Sequence, residues 1–338
     1  MTVSPVPAER SPITEGDLKS FYQGHDVLVT GANGFLGAHL VRRLADLGAR
    51  CTGLHRPTSN LLRLAEFSSR IALHAVDLRD AEGLRNRVRA HPPKVVFHVA
   101  AQGVDPGKRD LETMFQSNVL GLVNLLEALE GVPLDAFVNT GTCSEYGPRG
   151  DGPRPESEAP DPVSAYGVSK AAAVMLGVVL ARTRRRPIVT LRPFTTFGPY
   201  ERSDRLVGYV TTCVIKGEEI RMTGGVQARD FIYIDDVVEA YLRAGIPPVA
   251  SGEIINVGSG QVVTIKALVE KVREIAGSTV PVRVGALPYR DDEIWHLCAD
   301  IRRARERLAW SPQVSLDEGL RRTLDWYRRS LALAESLR

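Results

Sequence analysis

The sequence has almost no net charge. Its 338 residues hold 43 Lys plus Arg against 40 Asp plus Glu, which leaves a formal charge of +3. Proteins that bind nucleic acid through phosphate contacts usually carry a larger positive charge gathered into a stripe. We therefore expect no nucleic-acid partner. The hydrophobic content of 43% is higher than a disordered chain would have, so the chain can bury a sizeable core.

Cysteine and long apolar runs are also scarce. Cys51, Cys143, Cys213 and Cys298 lie far apart, without the CxxC or Cys/His spacing of a metal site. We interpret them as free thiols in a reducing compartment. The first twenty residues lack the apolar run of a signal peptide, and the uncharged stretch 171–181 is about half of a membrane span. The prediction is a cytoplasmic protein without a membrane partner or a metal.

Short apolar runs alternate with helical patterns through much of the chain. This alternation is typical of an α/β protein with a Rossmann-type, doubly wound parallel sheet. Beyond Arg192 the rhythm breaks down, which indicates a smaller, discontinuous C-terminal substrate lobe. The predicted strands are 27–29, 51–54, 71–76, 95–99, 136–140, 188–191 and 253–257, and the long helices are 110–130 and 165–183. The predicted units are an N-terminal extension (1–24), a dinucleotide-binding domain (25–192 plus 235–260) and the lobe (193–234 plus 261–330).

A glycine pattern lies directly between the first strand and the first long helix. Gly31, Gly34 and Gly37 are spaced as in dinucleotide-binding turns. The first allows a tight turn, the second lets the backbone approach a pyrophosphate, and the third lets the helix pack on the strand. The helix N-terminus then offers N–H groups to the phosphates.

The end of the second strand bears on the choice of cofactor. NAD enzymes usually place an acidic residue there, whereas this strand ends in His55 and Arg56. A guanidinium attracts a 2′-phosphate, so the sequence favours NADP(H), with NAD(H) still open. The alternative is that Arg56 is an ordinary surface arginine that contacts no phosphate. Asp77 and Leu78, after the third strand, are placed to meet the adenine, or Asp77 simply caps the next helix.

Three polar residues form a candidate catalytic set. Tyr166 and Lys170 are four residues apart and share one face if the segment is helical. An ammonium group lowers the pKa of a neighbouring phenol, which makes the phenol a better acid–base catalyst near neutral pH. Thr142 follows a buried strand, at the edge where doubly wound sheets bind ligands, and can bond a reacting oxygen.

These segments together resemble an extended short-chain dehydrogenase/reductase of the nucleotide-sugar epimerase/dehydratase branch. The resemblance implies that Tyr166 is the acid/base, that Lys170 lowers its pKa and holds the nicotinamide ribose, and that Thr142 bonds the reacting oxygen. The matching segments are 30–37, 77–78, 98–102, 118–121, 142–147, 166–170, 192–194, 229–236 and 299–300.

The resemblance also implies two sets of binding residues. Arg229 and Arg290 match positions that contact a substrate diphosphate, although either can be a solvated surface charge. The cofactor set is Gly31, Asn33, Gly34, Phe35, Leu36, Gly37, His55, Arg56, Asp77, Leu78, Ala100, Ala101, Gln102, Asn118, Tyr166, Lys170 and Pro193. The substrate set is Thr142, Cys143, Ser144, Thr195, Arg229 and Arg290.

Departures from the family pattern narrow the expected reaction. Sugar 4,6-dehydratases similar to this chain have Asp-Glu after the catalytic threonine, where this chain has Cys143 and Ser144. Many members have asparagine where this chain has Thr195, and epimerases that retain NAD have an acidic residue in place of His55-Arg56. Because Cys143 and Ser144 replace the Asp-Glu pair, elimination of water from the sugar is not expected.

The sequence prediction is a sugar 4-ketoreductase. It would use NADPH to reduce the 4-keto group of a nucleotide-linked 6-deoxyhexose. An epimerase that retains NAD, a non-catalytic cofactor-sensing protein and a reductase of small hydrophobic ketones are the alternatives. The helices 110–130 and 165–183 have apolar faces that family members commonly pair, so we expect a homodimer.

Overall fold

The computed structural model describes residues 11–103, 110–248 and 250–337. Helices and strands alternate in the first half of the chain, and short strands become frequent after residue 183. The helices of the described residues are α1 Glu15–Tyr22, α2 Phe35–Asp46, α3 Ala81–Ala90, α4 Leu111–Phe115, α5 Gly121–Ala128, α6 Ala165–Thr183, α7 Leu206–Lys216, α8 Ile234–Ala244, α9 Ile265–Ala276, α10 Arg302–Leu308 and α11 Leu316–Ser336. The strands are β1 Asp26–Thr30, β2 Arg50–His55, β3 Ala72–Ala75, β4 Val95–His98, β5 Ala136–Thr140, β6 Pro153–Arg154, β7 Ile188–Pro193, β8 Thr195–Phe197, β9 Ile220–Arg221, β10 Ala228–Arg229, β11 Phe231–Tyr233, β12 Ile254–Val257, β13 Val263–Thr264, β14 Val282–Arg283 and β15 His296–Ala299.

A seven-stranded sheet forms the centre of the molecule. Its strand order is β12-β7-β5-β4-β1-β2-β3, and every neighbouring pair is parallel. The chain moves outward from β1 through β2 and β3, and then returns to place β4 on the other side of β1. This reversal creates the crevice in which doubly wound sheets bind their ligands, at the carboxyl ends of β1 and β4.

The central strands are buried on both faces because their side chains alternate between two apolar layers. Val27 and Val29 of β1 belong to the layer that contains α1, α2 and α8, whereas Leu28 belongs to the layer that contains α3, α5 and α6. Val95 and Val96 of β4 divide in the same way. Continuous apolar runs are what such two-sided burial requires, and they made these strands recognisable in the sequence. The Rossmann-type fold is confirmed.

Of the two long helices predicted from the sequence, one is continuous in the structure and the other is interrupted. α6 has the predicted bounds, whereas the helix predicted over 110–130 is divided into α4, a π-helical segment at Gln116–Leu120, and α5. By length and composition alone α6 could cross a membrane, but 44% of its most apolar window is buried inside the protein. Its inner face packs on the sheet, as expected of a core helix.

Smaller sheets follow the central one. The four-stranded sheet β13-β10-β15-β6 combines β6, from the segment before α6, with three strands from the C-terminal part of the chain. The pairs β11-β8 and β14-β9 complete this region. At the other end of the chain, Tyr22 of α1 donates a hydrogen bond to the Leu242 carbonyl of α8 at 2.6 Å. The predicted domain boundaries stay a prediction.

Candidate active site

The glycine turn after β1 can exist only without side chains at two of its positions. Gly31 has φ +67°, and a Cβ atom there would lie 2.7 Å from the Cα atom of Ala100. A Cβ atom on Gly37 would lie 2.1 Å from the Gly31 carbonyl oxygen. α2 begins at Phe35, followed by Leu36, with Gly34 as its N-cap and without a side-chain cap. The amides of this first turn are therefore free to bind a pyrophosphate, and the turn fits a dinucleotide.

Neighbouring segments hold the turn in place. The Asn33 carbonyl accepts a hydrogen bond from Arg63 at 3.3 Å, and the Asn33 side chain donates to the Asn60 carbonyl at 3.3 Å. On the β4 side, the Thr30 hydroxyl accepts from the Ala100 amide at 3.3 Å and bonds His98 Nδ1 at 2.9 Å. The ends of β1 and β4 are thus tied together at the crevice.

Asn118 connects the loop after β4 to α6. Its Oδ1 accepts from the Gln102 amide at 2.8 Å, and its Nδ2 donates to the Gln102 carbonyl and to Ser169 Oγ, both at 2.9 Å. Asn118 is buried and lies in the π-helical segment, a local irregularity that is frequent at functional sites. The structure therefore brings together Gln102, Asn118 and the residue next to Lys170. Ala101 lies exposed beside Gln102.

Arg56 reaches across the crevice from the end of β2. Its Nη1 donates to Gln102 Oε1 at 2.9 Å, and its carbonyl bonds the His55 ring at 2.9 Å. Asp77 is held by Arg79, whose guanidinium lowers the Asp77 pKa below its usual range. The N-cap of α3 is Asp80, so Asp77 does not cap that helix. Next to Asp77, the Leu78 carbonyl accepts a hydrogen bond from Asn124 at 2.9 Å.

Thr142, Tyr166 and Lys170 converge at the carboxyl end of β5. Thr142 is buried, and its hydroxyl lies close enough to the Tyr166 phenol to lower the pKa of that phenol. Ser164 caps α6 by accepting the Gly167 amide at 3.1 Å, which fixes the helical turn that carries Tyr166 and Lys170. Lys170 is almost fully buried, and Tyr166 is partly exposed. A substrate oxygen can therefore reach the phenol and the hydroxyl together.

Burial controls the titration of these groups. It lowers the pKa of Lys170 from 10.5 to about 8, although the Glu145 carboxylate opposes that change. Burial also raises the pKa of Tyr166 above its ordinary value of 10. The sequence predicts that Lys170 lowers the pKa of Tyr166, but in this structure burial dominates and Lys170 is not among the groups that shift the Tyr166 pKa. Tyr166 therefore carries its proton at neutral pH.

The residues after Thr142 are unsuited to acid–base chemistry. Burial raises the pKa of the Cys143 thiol to about 12, so Cys143 is neutral near pH 7. Ser144 donates its backbone amide to the Thr142 hydroxyl at 3.2 Å within a short 3₁₀ turn. These side chains cannot replace the carboxyl pair expected of a 4,6-dehydratase, in agreement with the sequence.

The predicted diphosphate contacts occupy different environments. Arg229 is half-buried and forms an ion pair with Glu293 at 2.6 Å, which the sequence analysis did not foresee. Its charge also partly opposes the effect of burial on the Cys143 pKa. Arg290 is exposed, in the loop between β14 and β15. Thr195 begins β8 and pairs with Phe231, and Pro193 ends β7 beside Val257.

The most important pair that sequence reasoning missed is Glu145 and Arg192. Both side chains are buried, and their ion pair measures 2.7 Å. Thr142 and Glu145 have the Thr-x-x-Glu spacing of a helix capping box, and this pattern could have indicated Glu145. A long-range partner 47 residues away has no comparable local signal.

Known proteins are similar to this chain over most of its length. Residues 27–258 match the model of the NAD dependent epimerase/dehydratase family. The UDP-glucose 4-epimerase of Mycolicibacterium smegmatis is 32% identical over 310 residues, covering 89% of this chain and 98% of that protein.

Solved structures are similar over the same extent. The UDP-glucose 4-epimerase of Thermotoga maritima with UDP-glucose has a TM-score of 0.85 and 30% identity, covering 90% of this chain and 99% of that one. The UDP-glucuronic acid 4-epimerase of Bacillus cereus with UDP-glucuronic acid and NAD has a TM-score of 0.81 and 30% identity, covering 90% and 99%. The chain belongs to the NAD dependent epimerase/dehydratase family and is an oxidoreductase-type enzyme of the extended short-chain dehydrogenase/reductase class.

Proposed function

We propose that this protein is a 4-epimerase of a nucleotide-linked hexose. The observation that carries the proposal is the convergence of Thr142, Tyr166 and Lys170 beside the glycine turn. The named 4-epimerases among its relatives support this reaction over the reduction predicted from the sequence alone.

Each residue of the site would have a separate role in the epimerisation. The glycine turn, Asn118 and Lys170 would hold a nicotinamide dinucleotide, which accepts hydride from C4 of the sugar and returns it. Tyr166 acts as a base in its phenolate form, after it has released its own proton to solvent. It then accepts the proton of the C4 hydroxyl during oxidation and gives that proton back after the sugar has turned. Thr142 holds the same oxygen while its charge changes. The Lys170 ammonium stabilises the phenolate that Tyr166 passes through.

A second candidate is the NADPH-dependent reduction of a 4-keto sugar. It is favoured by Arg56, which lies at the end of β2 where a carboxylate would repel a 2′-phosphate. In this reaction Tyr166 donates its proton to the keto oxygen and Thr142 orients that oxygen. The cofactor is the difference between the two candidates, because an epimerase recycles it and a reductase consumes it.

One experiment separates the candidates. The purified protein is denatured, the released cofactor is identified, and the native protein is incubated with UDP-glucose and NAD. Epimerisation predicts a C4-inverted sugar nucleotide without net accumulation of NADH. Reduction predicts oxidation of NADPH in the presence of a nucleotide-linked 4-keto-6-deoxyhexose and no epimer. Conversion of neither substrate would contradict both candidates.

The substrate nucleotide is expected to bind on the C-terminal side of the crevice. Arg229 and Arg290, whose charges act on each other, would supply positive charge for a diphosphate. The Arg229 guanidinium forms an ion pair with Glu293, so a bound diphosphate would have to share Arg229 with Glu293 or displace that carboxylate. Weaker UDP binding in an R229M variant, measured by calorimetry, would support this placement, and unchanged binding would contradict it.

We also propose that the protein is a homodimer. Large apolar side chains are exposed on α4, on the π-helical segment that follows it and on α6, which packs against both, and such a patch commonly marks an interface. They are Leu111, Phe115, Leu120, Val168, Met175 and Val179. Light scattering at micromolar concentration should give twice the chain mass, and M175E should give a monomer. A monomeric wild-type protein would refute the proposal.

A further inference from the structure

The ion pair of Glu145 and Arg192 lies directly behind the reacting groups. Glu145 is 0% exposed and Arg192 is 1% exposed. Arg192 Nε and Nη2 both reach Glu145 Oε2, at 2.8 and 2.7 Å. A buried ion pair loses the hydration of both charges and is a poor source of stability compared with apolar packing. A role in the site accounts for its position better than a role in folding.

The other carboxylate oxygen holds the backbone of Thr142. The Thr142 amide donates to Glu145 Oε1 at 2.7 Å, which makes the carboxylate a bridge between Thr142 and β7. Gly141 leaves the space for this bridge. A Cβ atom at Gly141 would lie 2.6 Å from Glu145 Oε1 and 2.9 Å from Arg192 Cγ.

Arg192 is itself held on its second side. Its guanidinium lies 4.8 Å from the centre of the Tyr146 ring, and the Tyr146 hydroxyl donates to Asn256 Oδ1 at 2.8 Å. The Glu145 carbonyl also accepts the Asp161 amide at 2.9 Å, just before α6. The carboxylate therefore has a fixed position relative to both Thr142 and the start of the catalytic helix.

Glu145 is also an electrostatic neighbour of Lys170. Its charge favours the ammonium form and opposes the effect of burial on the Lys170 pKa. Burial lowers the pKa of His98, on β4, to about 3, so His98 is neutral beside Lys170. The other titratable or charged groups that interact with Tyr166 are Cys143, Arg205 and Tyr241, and Arg192 acts on Glu145 itself. Within the part of the chain that the structure describes, Glu145 is the only carboxylate among these neighbours.

We propose that Glu145 is a positioning residue: its carboxylate fixes the place of the Thr142 hydroxyl and keeps Lys170 in its ammonium form. The inference rests on the proposed function for its catalytic meaning. Its physical content, the coupling of Glu145 to Lys170, can be measured without substrate or cofactor.

The test is a titration of Lys170 followed by NMR with ¹³C-labelled lysine. The chain has seven lysines, so the spectrum is simple, and a K170R variant assigns the Lys170 signal. E145Q keeps an oxygen for the Thr142 amide but removes the charge. We expect the Lys170 pKa to fall from about 8 to about 7 in E145Q, because a nearby opposite charge typically changes a pKa by about 1 or more. E145D keeps the charge and should leave the pKa near 8.

A matched control is E156Q. Glu156 also has a buried side chain next to an arginine, Arg303, at 3.7 Å, but it does not act on Lys170. E156Q should therefore leave the Lys170 titration unchanged. If E145Q alone does not fold because Arg192 is left unpaired, the double variant E145Q/R192Q removes both charges and should also lower the Lys170 pKa. A Lys170 titration equal to wild type in whichever of the two variants folds would overturn the proposal.

The kinetic counterpart uses the active holoenzyme. In E145Q the loss of kcat at alkaline pH should begin about one pH unit lower than in wild type, with KM for the nucleotide sugar unchanged. An equal loss of kcat at every pH would show a structural role only and would contradict the proposal. A wild-type protein without epimerase or reductase activity refutes the proposed function but leaves the lysine titration valid, so the two failures are distinguishable.

Discussion

Replacing Lys170 with methionine should stabilise the cofactor-free protein while abolishing its activity. Lys170 is 1% exposed, and burial lowers its pKa from 10.5 to about 8. The folded state therefore opposes protonation of Lys170, whereas the unfolded chain accepts the proton readily. At about 1.4 kcal/mol for each pH unit, this difference costs the wild-type protein about 3 kcal/mol of unfolding free energy at pH 7. Methionine has a similar length and no charge, so K170M avoids that cost.

The sign of the pH dependence is a specific part of this prediction. Because the folded-state pKa is depressed, the unfolded state binds more protons between about pH 8 and pH 10.5. The contribution of Lys170 to stability therefore rises with pH through that window. The difference between K170M and wild type should be about 3 kcal/mol at pH 7 and less than about 1 kcal/mol at pH 10.

Urea unfolding of the cofactor-stripped proteins at pH 7 and pH 10 measures both values. Cofactor must be absent because a ligand that binds only the folded state adds its own stability. The control is K94M, since Lys94 is exposed at the start of β4 and should differ from wild type by less than about 0.5 kcal/mol at both pH values. A K170M protein that is less stable than wild type at pH 7, or a difference that does not change with pH, would refute the reasoning.

Three further predictions concern the cofactor and the chemistry. Y166F should lower kcat by about 10²–10⁴-fold while the Kd for NADH, followed by fluorescence, stays unchanged, because only the proton transfer is lost; a parallel loss of binding would contradict the assigned role. R56D should weaken NADPH binding about tenfold or more relative to NADH, because the substitution removes a charged partner of the 2′-phosphate. An unchanged ratio of the two Kd values would show that Arg56 does not contact that phosphate. G37A should abolish cofactor binding, because the new Cβ atom would lie 2.1 Å from the Gly31 carbonyl oxygen. The control is G152A, which has open space around it and should bind the cofactor normally in the same calorimetric assay. Normal binding by G37A would contradict the assignment of the glycine turn as the pyrophosphate site.

Local patterns predicted the parts of the molecule that local physics determines. The bounds of β5 and α6 agree with the sequence prediction, because a run of apolar residues and a capped helical pattern each specify their own element. The glycine turn was predicted for the same reason, since close backbone packing after β1 permits glycine only. The catalytic residues were also predictable, because Tyr166 and Lys170 are neighbours on one helix and Thr142 follows a predicted strand at the ligand-binding edge of the sheet.

The parts that were missed depend on contacts distant in sequence. The π-helical segment at Gln116–Leu120 interrupts a pattern that reads as one continuous helix, because a single wide turn leaves the apolar periodicity almost intact. The partners of Glu145 and Arg229 lie 47 and 64 residues away along the chain. In a sequence with 43 basic residues, no local pattern selects the arginine that pairs with a given carboxylate.

The titration of the site also required the structure. From the sequence, Lys170 was expected to lower the pKa of Tyr166, since opposite charges four residues apart on a helix attract. In the structure Lys170 is almost fully buried and Tyr166 is partly exposed, and burial is the largest influence on the pKa of each group. Burial of a single side chain depends on the packing of the whole fold, and the sequence pattern at 166–170 does not contain that information.

The most direct test of the proposed chemistry follows the hydrogen atom at C4 of the sugar. The protein, supplied with NAD, is incubated with UDP-glucose that carries deuterium at C4, and the products are analysed by NMR and mass spectrometry. The account predicts a C4 epimer that keeps the deuterium at C4, because hydride is removed and returned within one closed site while Tyr166 handles only the hydroxyl proton. Loss of the deuterium to water would contradict the account, because the C4 hydrogen would then have left as a proton.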